Sequence, residues 1–213
     1  MQYKITILHP SRNRPRQADL IIKEWLGKAK NRNQIEYILS VDKDDKDLGA
    51  YKSIGMSNKT YVSVNRNKSA IEAINHAAKV STANLIVVVS DDFYTFQDWD
   101  DVLLKEVEYD SDFILKTKDG IQDWIITLPI LDRAYYNRFG YVYFPGYKHL
   151  FCDTEMTTVG DILGRTIKSD LYFEHRHYSV GKSRKDLINI KNNKTWKQGE
   201  NLYNQRKAIN FGL

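Results

Sequence analysis

The chain has 213 residues, 42% hydrophobic and 28% charged, with four prolines and one cysteine. That length and balance suit one domain around a sizeable core and exclude disordered, collagen-like and repeat architectures. Cys152, the single cysteine, rules out an intramolecular disulfide and a cysteine-built zinc site within one chain, which fits a reducing, cytoplasmic setting. No apolar run reaches the roughly 20 residues of a membrane span, and the strand-like start after Met1 lacks a signal-peptide core. The net charge of +5 is unevenly placed: residues 182–213 hold eight basic residues against two acids, a net of +6, while residues 1–181, with 24 basic and 25 acidic, stand at −1.

In chain order, Tyr3 to Leu8 reads as a strand ending at His9-Pro10, where proline cannot donate to a ladder. An arginine-studded loop (Ser11, Arg12, Asn13, Arg14) precedes Pro15, which opens a helix carrying Leu20, Ile21, Trp25 and Leu26 at helical spacing. Ile35 to Val41 predicts a second strand, Asp42 to Asp47 an acidic loop, and Leu48 to Ile54 a short helix ending at Gly55. Tyr61 to Val64 suggests a third strand. Ser69-Ala70-Ile71-Glu72 has the form of a capping box, with Ala70, Ile71, Ile74, Ala77 and Ala78 as the apolar face behind it. Leu85 to Val89 is apolar throughout, the pattern of a parallel strand covered on both faces, and stops at Ser90-Asp91-Asp92. This alternation defines an α/β fold with a mainly parallel sheet flanked by helices. Beyond it the expectations are a helix capped by Asp98 and running through Val107, strands at 113–116 and 124–128, and a helix from Leu131 to Arg138. A helix from Asp153 to about Leu163 and strands at 165–168 and 171–177 complete residues 1–181. Residues 182–213 read as a basic, helical C-terminal appendage.

Ligands of open parallel sheets sit beyond the carboxyl ends of the strands. Here those ends are acidic: Asp42, with Asp44, Asp45 and Asp47 behind it, and Asp91-Asp92. Adjacent carboxylates at a buried strand end repel one another and lose solvation, which a hard divalent cation relieves. For Asp44, Asp45 and Asp47, turn capping explains the residues equally well. The chain has no Gly-x-Gly-x-x-Gly and no Gly-x-x-x-x-Gly-Lys-Ser/Thr, which argues against a dinucleotide fold and a P-loop nucleotidase. Arg12, Arg14, Arg66 and Lys68 all follow strands at the acidic edge and together could cradle a diphosphate. Phe173-Glu174-His175-Arg176-His177 sets two histidines on one strand face at metal-ligand spacing. Aromatic rings crowd the stretch before Asp153, Trp124 and Tyr147 among them, and flat rings of this kind stack on sugars.

The order strand, Pro10-Ser11-Arg12-Asn13-Arg14-Pro15 loop, helix, strand ending Val41-Asp42, helix opening at Lys68-Ser69 and apolar strand ending Ser90-Asp91-Asp92 resembles the GT-A glycosyltransferases of the family 2 type, as far as about His177. The resemblance implies a Rossmann-like GT-A domain over residues 1–181 that binds a nucleotide-sugar donor, a UDP-sugar being expected. Pro10, Ser11, Arg12 and Arg14 would line that donor, and Asp42 would meet the base. Ser90-Asp91-Asp92 stands in the Asp-x-Asp slot for Mn2+ or Mg2+, with Asp92 as the ligand and Asp91 on the ribose or sugar. A histidine late in the domain, His175 or His177, would complete the metal site. Cys152-Asp153-Thr154-Glu155-Met156 resembles the motif bearing the base of inverting members; Asp153 takes that part and Glu155 is its rival. A saccharide or other hydroxyl acceptor is implied, with Trp124 and Tyr147 as its platform. No specific nucleic acid is expected, and the absence of Gln-x-x-Arg-Trp disfavours a processive synthase. A nucleotidyltransferase and a non-catalytic nucleotide-sugar or nucleic-acid binding module are the rivals. For the basic tail, a solvated helix stands beside peripheral contact with an anionic membrane surface.

Overall fold

The computed structural model describes residues 3–58, 60–108 and 111–213. Seven strands form one mixed sheet in the order β3-β2-β1-β4-β7-β6-β8. Its first half is parallel: β1 (Ile5–Pro10), β2 (Ile35–Asp42), β3 (Tyr61–Asn65) and β4 (Leu85–Val88), with Ile5 opposite both Ile35 and Leu85. The helix α1 (Pro15–Gly27) follows β1, α2 (Leu48–Asn58) follows β2 and α3 (Ala70–Val80) follows β3. Successive side chains leave a strand on opposite faces. Ile5, Ile7, Leu39, Leu85 and Val87 therefore pack with Trp25, Tyr51 and Trp99 on one face, while Leu8, Ile38, Ile86 and Val88 pack with Ile71, Ile74, Tyr135 and Met156 on the other. A sheet buried on both sides explains the unbroken apolar runs.

The capping expectation at α3 is met with a small change. Ser69 Oγ accepts from Glu72 N at 3.1 Å, and the Glu72 carboxylate accepts from Lys68 N at 2.8 Å rather than from Ser69. The helix α2 does not stop at Gly55 but runs three residues further. A Cβ on Gly55 would lie 2.2 Å from Val62 Cγ2, so glycine there serves a close approach to β3 and not a helix end.

The second half departs further from its sequence pattern. A two-residue strand, β5 (Phe93–Tyr94), precedes α4 (Trp99–Glu106), and β6 (Ile114–Lys118) precedes β7 (Ile130–Asp132), which is antiparallel to both β4 and β6. Residues 124–128, read as a strand, are loop. Gln122 Oε1 accepts from Trp124 N and Ile125 N, and Ile126 N donates to Thr157 Oγ1, so side chains occupy the amides a ladder needs. The helix α5 (Arg133–Phe139) starts two residues late because Asp132 is its cap, accepting from Tyr135 N at 2.8 Å. After α6 (Cys152–Ile162), the expected pair of strands is one strand, β8 (Thr166–Tyr172), followed by β9 (Glu174–His175), which pairs antiparallel with β5.

The tail is docked onto the body rather than hanging from it. Its helices are α7 (Leu187–Asn193) and α8 (Trp196–Ala208). The latter packs beside α6 and against the loop before it, so closely that a Cβ on Gly199 would be 2.5 Å from the Leu150 carbonyl oxygen. Arg206 Nε reaches both Glu155 oxygens at 2.8 Å, Thr158 and Tyr203 share a hydrogen bond of 3.1 Å, and Phe211 is buried. Three apolar anchors (Leu202, Tyr203, Phe211) among so many charges give no periodic signal. Among the described residues no helix is long and apolar enough to cross a membrane.

Candidate active site

The carboxyl ends of β1, β2, β4 and β6 lie along one edge of the sheet. Asp42 ends β2, is nearly buried and receives Arg12; the Arg12 guanidinium also grips Asp44 with bonds of 2.8 and 3.1 Å. Asn67 Nδ2 donates to the other Asp42 oxygen at 2.7 Å and is itself held by His76 at 2.6 Å. Asp45 behaves differently: it is buried and accepts from Asn13 N and Asp47 N, a turn-building role. The acidic loop thus divides into one inward carboxylate, one partner for Arg12 and one turn residue.

Asp91 is buried in a network of its own. His9 Nε2 stands 2.9 Å from Asp91 Oδ1, Ser11 Oγ donates to Oδ2 at 3.2 Å, and His9 Nδ1 meets Tyr37 OH at 2.8 Å. Arg14 comes within 3.7 Å of Asp91 and makes two bonds of 2.7 Å to Asp186, the cap of α7. Pro10 and Ser11 are at the sheet edge but offer no donor to a ligand. Pro10 lacks an N–H, Ser11 N donates to Ser40 O, and the Ser11 hydroxyl is taken by Asp91 and Tyr51. Arg66 and Lys68 are exposed beyond β3.

Asp92 faces the far end of the chain. The β5–β9 pairing sets Phe93 opposite His175, and their rings stack at 4.1 Å. This brings His175 Nε2 to 3.4 Å from Asp92 Oδ2, while Arg176 N donates to the Asp92 carbonyl at 2.8 Å. Burial alone would push the Asp92 carboxyl up; the hydrogen bond and charge of His175 outweigh it and hold it down at about 2. Burial likewise opposes a charged His175, but Asp119 and Asp92 outweigh it and raise the ring to about 9. His177 leaves the strand: its Nδ1 meets Ser179 Oγ at 2.7 Å at the start of a 3-10 turn, with its ring 5.1 Å from that of His175. The two histidines therefore do not share a strand face, and His175 is the one on Asp92.

Among the described residues no three His, Cys, Asp or Glu side chains gather into a metal-holding cluster. A cation bridged to a diphosphate needs only one or two protein ligands. Asp92 Oδ2 and His175 Nε2, 3.4 Å apart, are an oxygen and a nitrogen close enough to share one ion.

Asp153 lies in the first turn of α6, half-buried, where the helix N-terminus favours its charge. Burial is the larger influence and raises its pKa; the Thr154 amide opposes at 2.8 Å. Glu155, its rival, faces the other way: it is 4% exposed, paired with Arg206, and accepts from Tyr147 OH at 2.7 Å. Tyr147 is itself buried, so it offers no platform to an acceptor. Trp124 is 64% exposed on the loop after β6, and that loop is tied to α6 through Ile126 N and Thr157, whose hydroxyl donates to the Asp153 carbonyl at 2.8 Å. The aromatic cleft lined by Tyr141, Phe144, Glu155, Arg206 and Phe211 lies behind α6, apart from Asp92.

Two residues near the site had escaped sequence reasoning. His149, on the loop before α6, is near enough to feel the charges of Asp92 and His177, and burial pulls it down to about 4. Asp119, directly after β6, is 1% exposed and stands 3.7 Å from His175 Nδ1. The strand-end rule that found Asp42 and Asp91 applies to it equally.

This mixed, mainly parallel sheet order flanked by helices is that of the GT-A fold. No family model and no curated protein matches the sequence; solved structures match the fold. A mannosyltransferase from Pyrobaculum calidifontis, solved with GDP-Man and Mn2+, superposes with a TM-score of 0.65 at 13% identity, over 82% of this chain and 57% of that one. S. aureus TarS residues 1–349 with UDP gives 0.64 at 15%, over 80% of this chain and 60% of that one. A cytidylyltransferase from Leptospira borgpetersenii gives 0.55 at 12%, over 80% and 76%. The chain thus spans under two thirds of the first two.

Proposed function

We propose that the chain is a metal-dependent glycosyltransferase that moves a sugar from a nucleotide donor, a UDP-sugar being expected, to a hydroxyl acceptor with inversion. The observation that carries this is the gathering of Asp42–Arg12, Asp91–Arg14 and Asp92–His175 along the carboxyl edge of a GT-A sheet, with Asp153 in the first turn of α6. Asp42, its outer face steadied by Arg12 and Asn67, accepts from the base. Arg14 meets the diphosphate in exchange for part of its bond to Asp186, with Arg66 and Lys68 adding positive charge at the rim. Asp91, locked by His9 and Ser11, faces the ribose or sugar. Asp92 and His175 would hold Mn2+ or Mg2+, which neutralises charge growing on the departing diphosphate.

Asp153 takes the proton of the acceptor hydroxyl as its oxygen bonds to the anomeric carbon and the bond to the diphosphate oxygen breaks from the opposite face. Its burial-raised pKa suits a base. Trp124 supplies a ring for the acceptor sugar. The exposed face of α7 (Leu187, Ile190, Lys191), with Lys194 at its C-terminal cap, would rest on an anionic membrane surface.

The cytidylyltransferase neighbour supports a second reading, transfer of a nucleotidyl group. Product analysis separates the two: a glycosyltransferase releases nucleoside diphosphate from a nucleotide-sugar, a nucleotidyltransferase releases pyrophosphate from a nucleoside triphosphate. Asp153→Asn is expected to lower kcat by about 10²- to 10⁴-fold. Unchanged turnover in both Asp153→Asn and Asp92→Ala would overturn this mechanism.

A further inference from the structure

The two oxygens of Asp119 face different tasks. Oδ1 accepts from Ile121 N at 2.8 Å and Gln122 N at 3.0 Å, closing the turn after β6. Oδ2 accepts from Thr127 Oγ1 at 2.7 Å and stands 3.7 Å from His175 Nδ1. That nitrogen is buried and has no hydrogen-bond partner in the structure. The backbone fixes the pair, because His175 N donates to the Asp119 carbonyl at 3.0 Å and Phe173 N to Lys118 O at 2.9 Å. Phe93 closes one face of the ring, and the opposite nitrogen points at Asp92.

A partly buried imidazole with one nitrogen toward a carboxylate and the other toward a second acid is the arrangement by which proteins fix the tautomer of a metal-ligating histidine. With Nδ1–H directed at Asp119, it is the Nε2 proton that a cation shared with Asp92 would displace to solvent, and the Nε2 lone pair would then face that ion. Asp119 is a poor candidate for a ligand itself, since it is sealed from the site by the ring it faces. We infer that Asp119 is a positioning residue for the cation site, orienting His175 so that Nε2 and the Asp92 carboxylate present a preformed pair of ligands. The inference rests on reading Asp92 and His175 as cation ligands.

Its test is Mn2+ affinity, followed by the electron paramagnetic resonance of free Mn2+ in the presence of UDP, for wild type, Asp119→Asn, Thr127→Val, His175→Ala and the Asp119→Asn/His175→Ala double variant. Asp119→Asn keeps an oxygen for the Ile121 and Gln122 amides while replacing the acceptor that faces His175. Thr127→Val removes a loop bond of the same carboxylate and leaves the acceptor, which separates an orienting role from a structural one. The expected result is affinity about 10- to 100-fold weaker in Asp119→Asn, near wild type in Thr127→Val, and no weaker in the double variant than in His175→Ala. Wild-type affinity in Asp119→Asn, equal losses in the two loop variants, or a full additional loss in the double variant would overturn the inference alone. Absence of Mn2+ binding by the wild type, or wild-type binding in Asp92→Ala, would overturn the ligand reading beneath it.

Discussion

Asp153 and Glu155 are two residues apart on one helix and live in opposite environments. Glu155 is paired with Arg206 behind α6, whereas Asp153 is half-buried and its carboxylate accepts from Thr154 N in its own helix turn. As catalytic base, Asp153 must be ionised, and its pKa is raised by burial. The acid limb of kcat/KM is therefore expected to lie above the ordinary aspartate value of about 4, and a pH–rate profile measures it; a limb at or below that value would contradict the assignment. His149 predicts a stability effect of the opposite origin. Its folded pKa, near 4, is depressed below the unfolded value of about 6.5, so the unfolded chain binds the extra proton between those limits and stability falls as pH drops through that window. His149→Phe should flatten the acid side of a denaturant-midpoint profile, by up to about 3 kcal/mol.

Among the elements, α8 holds α6 from behind through Arg206 on Glu155 and Tyr203 on Thr158. Removing Arg206 takes from the buried Glu155 its ion-pair partner, so Arg206→Ala should destabilise the protein by about 3 kcal/mol in urea unfolding. The double replacement Glu155→Leu/Arg206→Met should recover most of that loss. The helical character of this segment is legible in the sequence, but its docking is not, because its contacts rest on one glycine, one arginine and scattered aromatics. By contrast, β1, β2, β4, α1 and α3 were legible because burial on both sheet faces forces continuous apolar strands and one-sided helices. The strand expected at 124–128 failed for a local reason: its amides are satisfied by Gln122 and Thr157 side chains, which no propensity registers. Strands β5 and β9, two residues each, have no period to detect, yet their pairing is what joins His175 to Asp92. Spacing thus offers the aspartates and the late histidines as candidates, but that His175 rather than His177 stands on Asp92, and that Asp119 lies beside His175, is visible only in the fold.

At the scale of the whole molecule, the charge imbalance acquires a layout. Acids of the near-neutral body line the carboxyl edge of the sheet, and the basic tail folds back over it through Arg14–Asp186. The helix α7 leaves Leu187 81% and Ile190 43% exposed on the side that carries Lys191 and Lys194. Contact with an anionic surface predicts co-sedimentation with phosphatidylserine-containing vesicles that declines with salt and falls at least about 10-fold in Lys191→Glu/Lys194→Glu; equal binding by the variant would contradict it.

The function proposed for this chain requires the Asp42-to-Asp92 edge to bind a nucleoside diphosphate through a divalent cation. Titration calorimetry of UDP and GDP with and without Mn2+ tests it most directly. The account predicts saturable binding to the wild type that requires Mn2+, and its loss in Asp92→Ala. Failure of both nucleotides to bind with Mn2+ present, or binding that neither needs Mn2+ nor notices Asp92→Ala, would contradict it.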